Sequence, residues 1–343
     1  AWSLERFAGL DEMPTFGWDT VTVPGAVDTW VQLSQKFGKL PFDDLFVTAI
    51  EYAKIFFIVS PITAGRWAFA AQTYKSFADF GKTFLPDGRA PRPGEVFRCA
   101  DQVQTLQAIA ASKGESFYRG DLAEQIVHCA KANGGAMKLE DLANHRSEWE
   151  DPIAIDYRDV CLHQIRPNGQ GLAALIALGL LREFDIGRYP VDSADTIHLQ
   201  TEAMKIALAQ AYQHIADRDH MAIAPEELLT KNFLARRARE IRMDQAAHPG
   251  SKIPLDHGTV YLTAADEKGM MVSFIQSNYM GFGSGMVIPD KFMSMEIRGC
   301  GLVLEAGQAT CVGGGNRGFN RMIRGWVRGE EEALVGGGVG GGG

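Results

Sequence analysis

Two apolar runs of period two, TVYLTAA from Thr259 and MMVSFIQS from Met270, are joined by only Asp266-Glu267-Lys268-Gly269. So short a connection folds the runs back on each other, because parallel strands need a crossover of about a dozen residues or more. A type I turn followed by a left-handed glycine is a favoured three-residue loop. That loop pairs Asp266 with Met270, and every pairing beyond it follows. Leu262 then faces Phe274 and Ala264 faces Val272, which together are expected to form a buried face. Thr259 falls directly opposite Ser277. The strands 259–265 and 270–277 are expected to be buried on both faces, between helices and a second sheet.

The stretch 20–248 reads mostly as helix. Residues 25–37 carry apolar positions at helical spacing and stop at Gly38, which suits a left-handed C-terminal cap. Pro41 opens a second helix to residue 55. Further helical patterns cover 60–80, 101–113, 120–133, 138–144, 172–184 and 193–217, the last capped by Ser193 or Asp195. Residues 153–157 and 160–165 read as a short hairpin. From about residue 308 the texture changes, with glycine runs at 313–315, 336–338 and 340–343. Such glycine density buries too little apolar surface to offset the entropy of ordering, so most of this tail is expected to be poorly ordered.

Composition excludes several classes. With 343 residues, 46% hydrophobic and 22% charged, the chain has the proportions of a soluble globular protein. A net charge of −8 without a basic block argues against nucleic acid or an anionic membrane as partner. No apolar run approaches the roughly 18 residues that would span a bilayer. The five cysteines are scattered without CxxC spacing, which disfavours a disulfide framework or a zinc site. The opening AWSLERFAGL lacks the pattern of a signal peptide, leaving a cytoplasmic or periplasmic location equally open. Starting at Ala1 without methionine, the chain is expected to begin mid-protein.

Thr259 begins a strand, follows Gly258 and has a hydroxyl residue opposite. Were the peptide bond between Gly258 and Thr259 cut, Thr259 would carry a free α-amine beside its own hydroxyl. Such an amine, with a pKa of roughly 7.7–8.0, is suited to act as base toward that oxygen. Elsewhere, His214 and His220 with Asp217 and Asp219 do not align two metal ligands on one helix face, and read as a polar helix end. Asn168-Gly169-Gln170-Gly171 before an apolar helix reads as a packing turn ahead of an anion site.

The segment TVYLTAADEKGMMVSFIQSNYMGFGSGMVIP resembles the start of the small subunit of gamma-glutamyltransferases and the related cephalosporin acylases. TVTVPGAVDTWVQLSQKFGKLPFDDLF, FYRGDLAEQIV and KLEDLANHRSEWEDPIAIDYRDV resemble successive stretches of the large subunit. The resemblance covers about residues 15–305. It implies an α+β fold, the four-layer αββα N-terminal-nucleophile sandwich, here incomplete. It divides the chain into a large-subunit-like part (1–258), a small-subunit-like part (259–305) and an atypical tail (306–343).

By the same resemblance, Thr259 is the nucleophile and new N-terminus, made when the precursor cuts itself between Gly258 and Thr259. Ser277 is the hydroxyl bonded to it, and Asn278, Tyr279 and Arg298 lie on the substrate side. Gly281-Phe282-Gly283-Ser284-Gly285 corresponds to the family's glycine-rich turn. No metal and no organic cofactor is implied. The partners implied are a small-molecule amide, gamma-glutamyl or a related acyl compound, and the two subunits of one precursor.

Two departures stand out. By the resemblance, transferases that accept glutathione commonly carry an acidic residue downstream of the turn, where MEIRGCG has glycine at about that place; Glu296 could substitute for it, but is expected to face solvent. The arginine that grips the substrate carboxylate and the glycine pair of the oxyanion hole are expected to be missing at the two ends. A non-catalytic truncated remnant of the family is the alternative reading.

Overall fold

The computed structural model describes residues 2–247, 259–320, 322–323, 325–329 and 333–334. Along the chain come α1 (Ala26–Phe37), α2 (Val47–Ile55), β1 (Phe57–Ile58), α3 (Pro61–Thr73), α4 (Ala78–Phe84) and β2 (Val96–Phe97). Then follow α5 (Ala100–Ser112), α6 (Glu115–Arg119), α7 (Asp121–Ala132), α8 (Leu139–Ala143), β3 (Ile153–Tyr157) and β4 (Val160–Gln164). Next are α9 (Gly171–Leu181), α10 (Ala194–His214), α11 (Lys231–Ala238), β5 (Thr259–Ala265) and β6 (Met271–Ser277). The last are β7 (Val287–Ile288), β8 (Met293–Ser294), β9 (Gly325–Gly329) and β10 (Ala333–Leu334). The mixture is α+β, as expected, and the chain divides into two compact units.

One unit comprises Ala1–Glu148 with Asn278–Cys300. It holds α1–α8 and the short ribbons β1–β2 and β7–β8. Ser60 caps α3 by accepting from Thr63 N at 3.2 Å, with Pro61 in the first turn, where its missing N–H has no helical partner to lose. The expected single helix over 60–80 is broken at Tyr74 and resumes as α4. No proline or glycine causes the break. Instead it turns Tyr74, Phe80 and Phe84 into one aromatic cluster with Trp67, Phe97 and Phe282 (Tyr74 to Phe80 4.8 Å, Phe84 to Phe282 4.7 Å, Trp67 to Phe97 4.7 Å between ring centres). Gly38 does end α1, but its φ of −66° is not left-handed. Glycine is required there by close approach, since a Cβ would lie 2.4 Å from Ser34 O.

The other unit comprises Trp149–Ser277 with Gly301–Gly343. Its core is α9, whose sequence GLAALIALGLL is apolar all round and is therefore enclosed on every side. Leu172, Leu175, Ile176 and Leu180 have no exposed surface and pack with Leu199, Ala203 and Ala207 of α10 and Leu234 of α11. Ser193, of the two caps considered, accepts from Thr196 N at 3.3 Å. Leu175→Ala is expected to destabilise the fold by about 2–5 kcal/mol, read as a lower urea midpoint with unchanged slope.

The sheet of this unit runs β10-β9-β4-β3, antiparallel throughout. Strand β9 lies within the tail expected to be poorly ordered. GWVRG supplies the β-branched and aromatic residues that pair: Val327 sits opposite Leu162, and Trp326 opposite His163 with the rings stacked at 5.3 Å. Asn168, Gln170 and Asn320 tie the NGQG turn to the same region through Gln170 N to Asn320 O (2.8 Å) and Asn320 N to Asn168 O (2.9 Å). That makes it the packing turn anticipated. Among the described residues no helix is long and apolar enough to cross a membrane.

Candidate active site

The hairpin of β5 and β6 forms in the register set by its loop. Asp266 N donates to Met270 O (3.0 Å), Gly269 adopts φ +81°, and the Asp266 carboxylate accepts from Lys268 N (3.0 Å) and Met270 N (2.9 Å). Leu262 pairs with Phe274, Ala264 with Val272, and Thr259 with Ser277. At that last pair the two hydroxyls meet, Thr259 Oγ1 lying 2.9 Å from Ser277 Oγ. Two residues further along the same face, Tyr261 Oη and Ser273 Oγ repeat the motif at 2.9 Å.

The face is the reverse of the one expected. Val260 (62% exposed), Leu262 (46%) and Val272 (42%) are open, and among the described residues β5 and β6 pair only with each other. Thr259, Tyr261, Ser273 and Ser277 are half-buried and Ile275 is buried, so the hydroxyl-bearing face is the sheltered one. Burial on both faces is therefore overturned, while the register stands. Gly258, the other half of the expected cleavage site, lies outside the described residues.

Asn278 and Tyr279 continue the chain after Ser277, within the first unit. Tyr279 has φ +78°, unfavourable for a residue with a Cβ. Its ring lies under the Arg298 guanidinium, 4.8 Å from ring centre to charge, and Ile297 N donates to Asn278 O at 3.2 Å. The three residues assigned to the substrate side by resemblance are thus neighbours. The glycine-rich turn that follows is closely packed and bonded. Gly283 has φ +79° and a Cβ there would meet Met295 O at 2.2 Å, while its own carbonyl accepts from Tyr74 Oη at 2.9 Å. Ser284, fully buried, donates through both N (2.8 Å) and Oγ (2.9 Å) to Met295 O.

Glu296 does not face solvent. Its carboxylate accepts from Thr22 N (2.6 Å), from Thr22 Oγ1 (2.7 Å) and from Arg298 N. Burial pushes this carboxyl above its ordinary value, and the donors from Arg298 and Thr22 offset part of that rise. Sequence reasoning missed Thr22 altogether, since nothing in TVTVPG signals a partner 274 residues away.

Of the polar cluster near residue 217, Asp217 accepts from Asp219 N (3.3 Å) and Arg317 N (2.8 Å). Burial, then the nearby Arg237 charge, lowers the pKa of His214. No group of three or more His, Cys, Asp or Glu among the described residues is arranged to hold a metal.

A family model described as Gamma-glutamyltranspeptidase matches residues 1–342. The match runs past residue 305, where the resemblance read from motifs stopped, and takes in the glycine-dense tail. The glutathione hydrolase-like YwrD proenzyme of Bacillus subtilis (strain 168) is 31% identical over 321 residues, covering 92% of this chain and 60% of its own. The oxamate amidohydrolase proenzyme of Klebsiella pneumoniae is 34% identical over 328 residues, covering 93% and 61%. Among solved structures, a cephalosporin acylase from Bacillus halodurans matches with a TM-score of 0.90 at 38% identity, covering 97% of this chain and 62% of its own. The chain therefore spans 60% to 62% of the length of these relatives.

Proposed function

Because the chain belongs to the gamma-glutamyltranspeptidase family, we propose that it is an amide-cleaving acyl-transfer enzyme whose nucleophile, Thr259, is released by self-cleavage after Gly258. The observation that carries this reading is the 2.9 Å approach of Thr259 Oγ1 to Ser277 Oγ at the head of β5. The fold attached to it is the four-layer αββα sandwich, with 1–258 and 259–305 as the large- and small-subunit parts and 306–343 as the tail.

In the first step Thr259 Oγ1 attacks the Gly258 carbonyl carbon. The C–N bond breaks, the hydroxyl proton passes to the departing Thr259 amine, and an ester joins Gly258 to the Thr259 side chain. Water opens that ester, leaving a Gly258 carboxylate and a free Thr259 α-amine. In turnover the amine takes the hydroxyl proton as Oγ1 attacks a substrate amide, then passes it to the leaving amine. Water, or an acceptor amine, releases the acyl group. Ser277 supplies a hydroxyl that keeps Oγ1 oriented in both steps.

Specificity follows from the residues around Arg298. A Cβ at Gly299 would lie 2.4 Å from the Trp2 ring and 2.8 Å from Thr20 O, so no acidic side chain fits there. Glu296 is engaged by Thr22 and Arg298 N. Neither position is left to hold an α-ammonium, whereas Arg298, on the substrate side by resemblance, carries the sign of charge that suits a carboxylate. The substrate class is thus an amide whose acyl group bears a carboxylate, with little demand for the α-amino group of gamma-glutamyl compounds.

Expressed as the full chain, the protein should yield two fragments on a denaturing gel, the smaller starting at Thr259, and Thr259→Ala should stay uncut. Glutaryl and gamma-glutamyl anilides should be hydrolysed at comparable rates by the cut form. Fragments starting at residue 259 from the alanine variant would refute the nucleophile, and a strict gamma-glutamyl preference would refute the specificity. A chain that neither cuts nor hydrolyses would favour the remnant.

A further inference from the structure

Glu296 takes no part in the chemistry above, yet it is the most heavily bonded carboxylate beside the residues assigned to the substrate. We infer that Glu296 is a positioning residue, linking the segment at Thr22 to Arg298 so that Arg298 and Tyr279 present a fixed cation and ring to the acyl end of the substrate. The inference rests on the amide-cleaving reading.

Three consecutive residues carry the links. Glu296 bonds Thr22 through one oxygen and Arg298 N through the other. Ile297, fully buried, donates its N–H to Asn278 O at 3.2 Å. Arg298 covers the Tyr279 ring at 4.8 Å. The Thr22 end is itself held, because Thr20 Oγ1 donates to Gly17 O (2.8 Å) and Gly17 N donates to Ser284 O (2.9 Å). The 17–22 segment is therefore tied at two points to the stretch that carries the glycine-rich turn and Arg298.

A long, flexible arginine loses much rotamer entropy when it is ordered. Fixing its backbone N–H with a charge-assisted bond, and its guanidinium on a ring, places that loss in the folded protein and not in the binding step. Part of this carboxylate's role is structural, since without it the N–H groups of Thr22 and Arg298 would lose their acceptor. An apolar side chain cannot accept from Arg298 N and Thr22 together. Glutamine cannot either, because its NH2 would meet one of those donors head-on.

The test compares a carboxylate-tipped substrate, glutaryl p-nitroanilide, with an uncharged one, butyryl p-nitroanilide, on the cut full chain. Glu296→Gln is expected to raise KM for the glutaryl compound about tenfold with kcat within about twofold, and to leave the butyryl compound unchanged. Thr22→Val, which removes one hydroxyl donor, should shift KM the same way by less, and Thr22→Ser should restore it. Equal losses on both substrates, or an unchanged glutaryl KM, would overturn the inference. Should Glu296→Gln not fold, the Thr22→Val and Thr22→Ser pair decides by the same criterion. Wild-type protein that hydrolyses neither anilide overturns the amide-cleaving reading first, and the inference with it.

Discussion

Ser277→Ala is expected to lower both self-cleavage and kcat/KM on amides by about 10²–10³-fold, taking as the scale the loss when one donor is removed from an oxyanion hole. The reason is local. Thr259 Oγ1 and Ser277 Oγ face each other across the first pair of the hairpin at 2.9 Å. A threonine hydroxyl rotates about a single χ1, and the serine selects the rotamer that aims its oxygen along the face. Ser273→Ala, which removes the neighbouring partner of Tyr261, is the control on the same face and should leave rates within about twofold. Rates are read by single-turnover assay and by band intensity during processing. A Ser277→Ala enzyme no slower than the Ser273→Ala control would remove Ser277 from the mechanism.

Gly283→Ala should carry a large stability cost, about 3 kcal/mol or more, measured as a loss in urea midpoint. Two independent obstacles coincide there: a left-handed φ of +79° and a backbone oxygen, Met295 O, 2.2 Å from where the Cβ would go. The oxygen cannot retreat freely, because it accepts from Ser284 N and Ser284 Oγ. Gly281→Ala offers the contrast. Its φ is +41° and its Cβ would lie 3.6 Å from Tyr74 Oη, so about 1 kcal/mol is expected. Equal effects at the two positions would mean that the turn is looser than its bonds indicate.

The register of β5 and β6 was legible because four residues, Asp266 to Gly269, admit one favoured loop and period two does the rest. Which face turns inward was not legible. Val260, Leu262, Val272 and Phe274 form the more hydrophobic side, so burial by composition alone puts them in the core. The structure shelters Thr259, Tyr261, Ser273 and Ser277 instead. Helix positions fared well where one face was apolar over several turns, as in 120–133, and less well where a break rested on tertiary packing, as at Tyr74. The short α6 and α11 were not anticipated for a different reason: with five and eight residues, they offer little periodicity to read. Glu296 was misplaced because its partner is chosen by the fold, at a separation that no window of sequence spans.

The Asp266 loop also bears on the order of events during synthesis. Its side chain closes the turn on Lys268 N and Met270 N without help from any distant residue. Hairpins closed by such loops zip in about 1–10 μs, and an isolated one is at best marginally stable. The two hydroxyls are therefore brought opposite each other among the earliest contacts that this stretch can make. How long they remain so depends on slower packing around Ile275. Self-cleavage should accordingly keep time with consolidation of the surrounding structure, and a refolding experiment should show the new N-terminus emerging together with the last phase of tyrosine fluorescence change, after the strand signal is already in place.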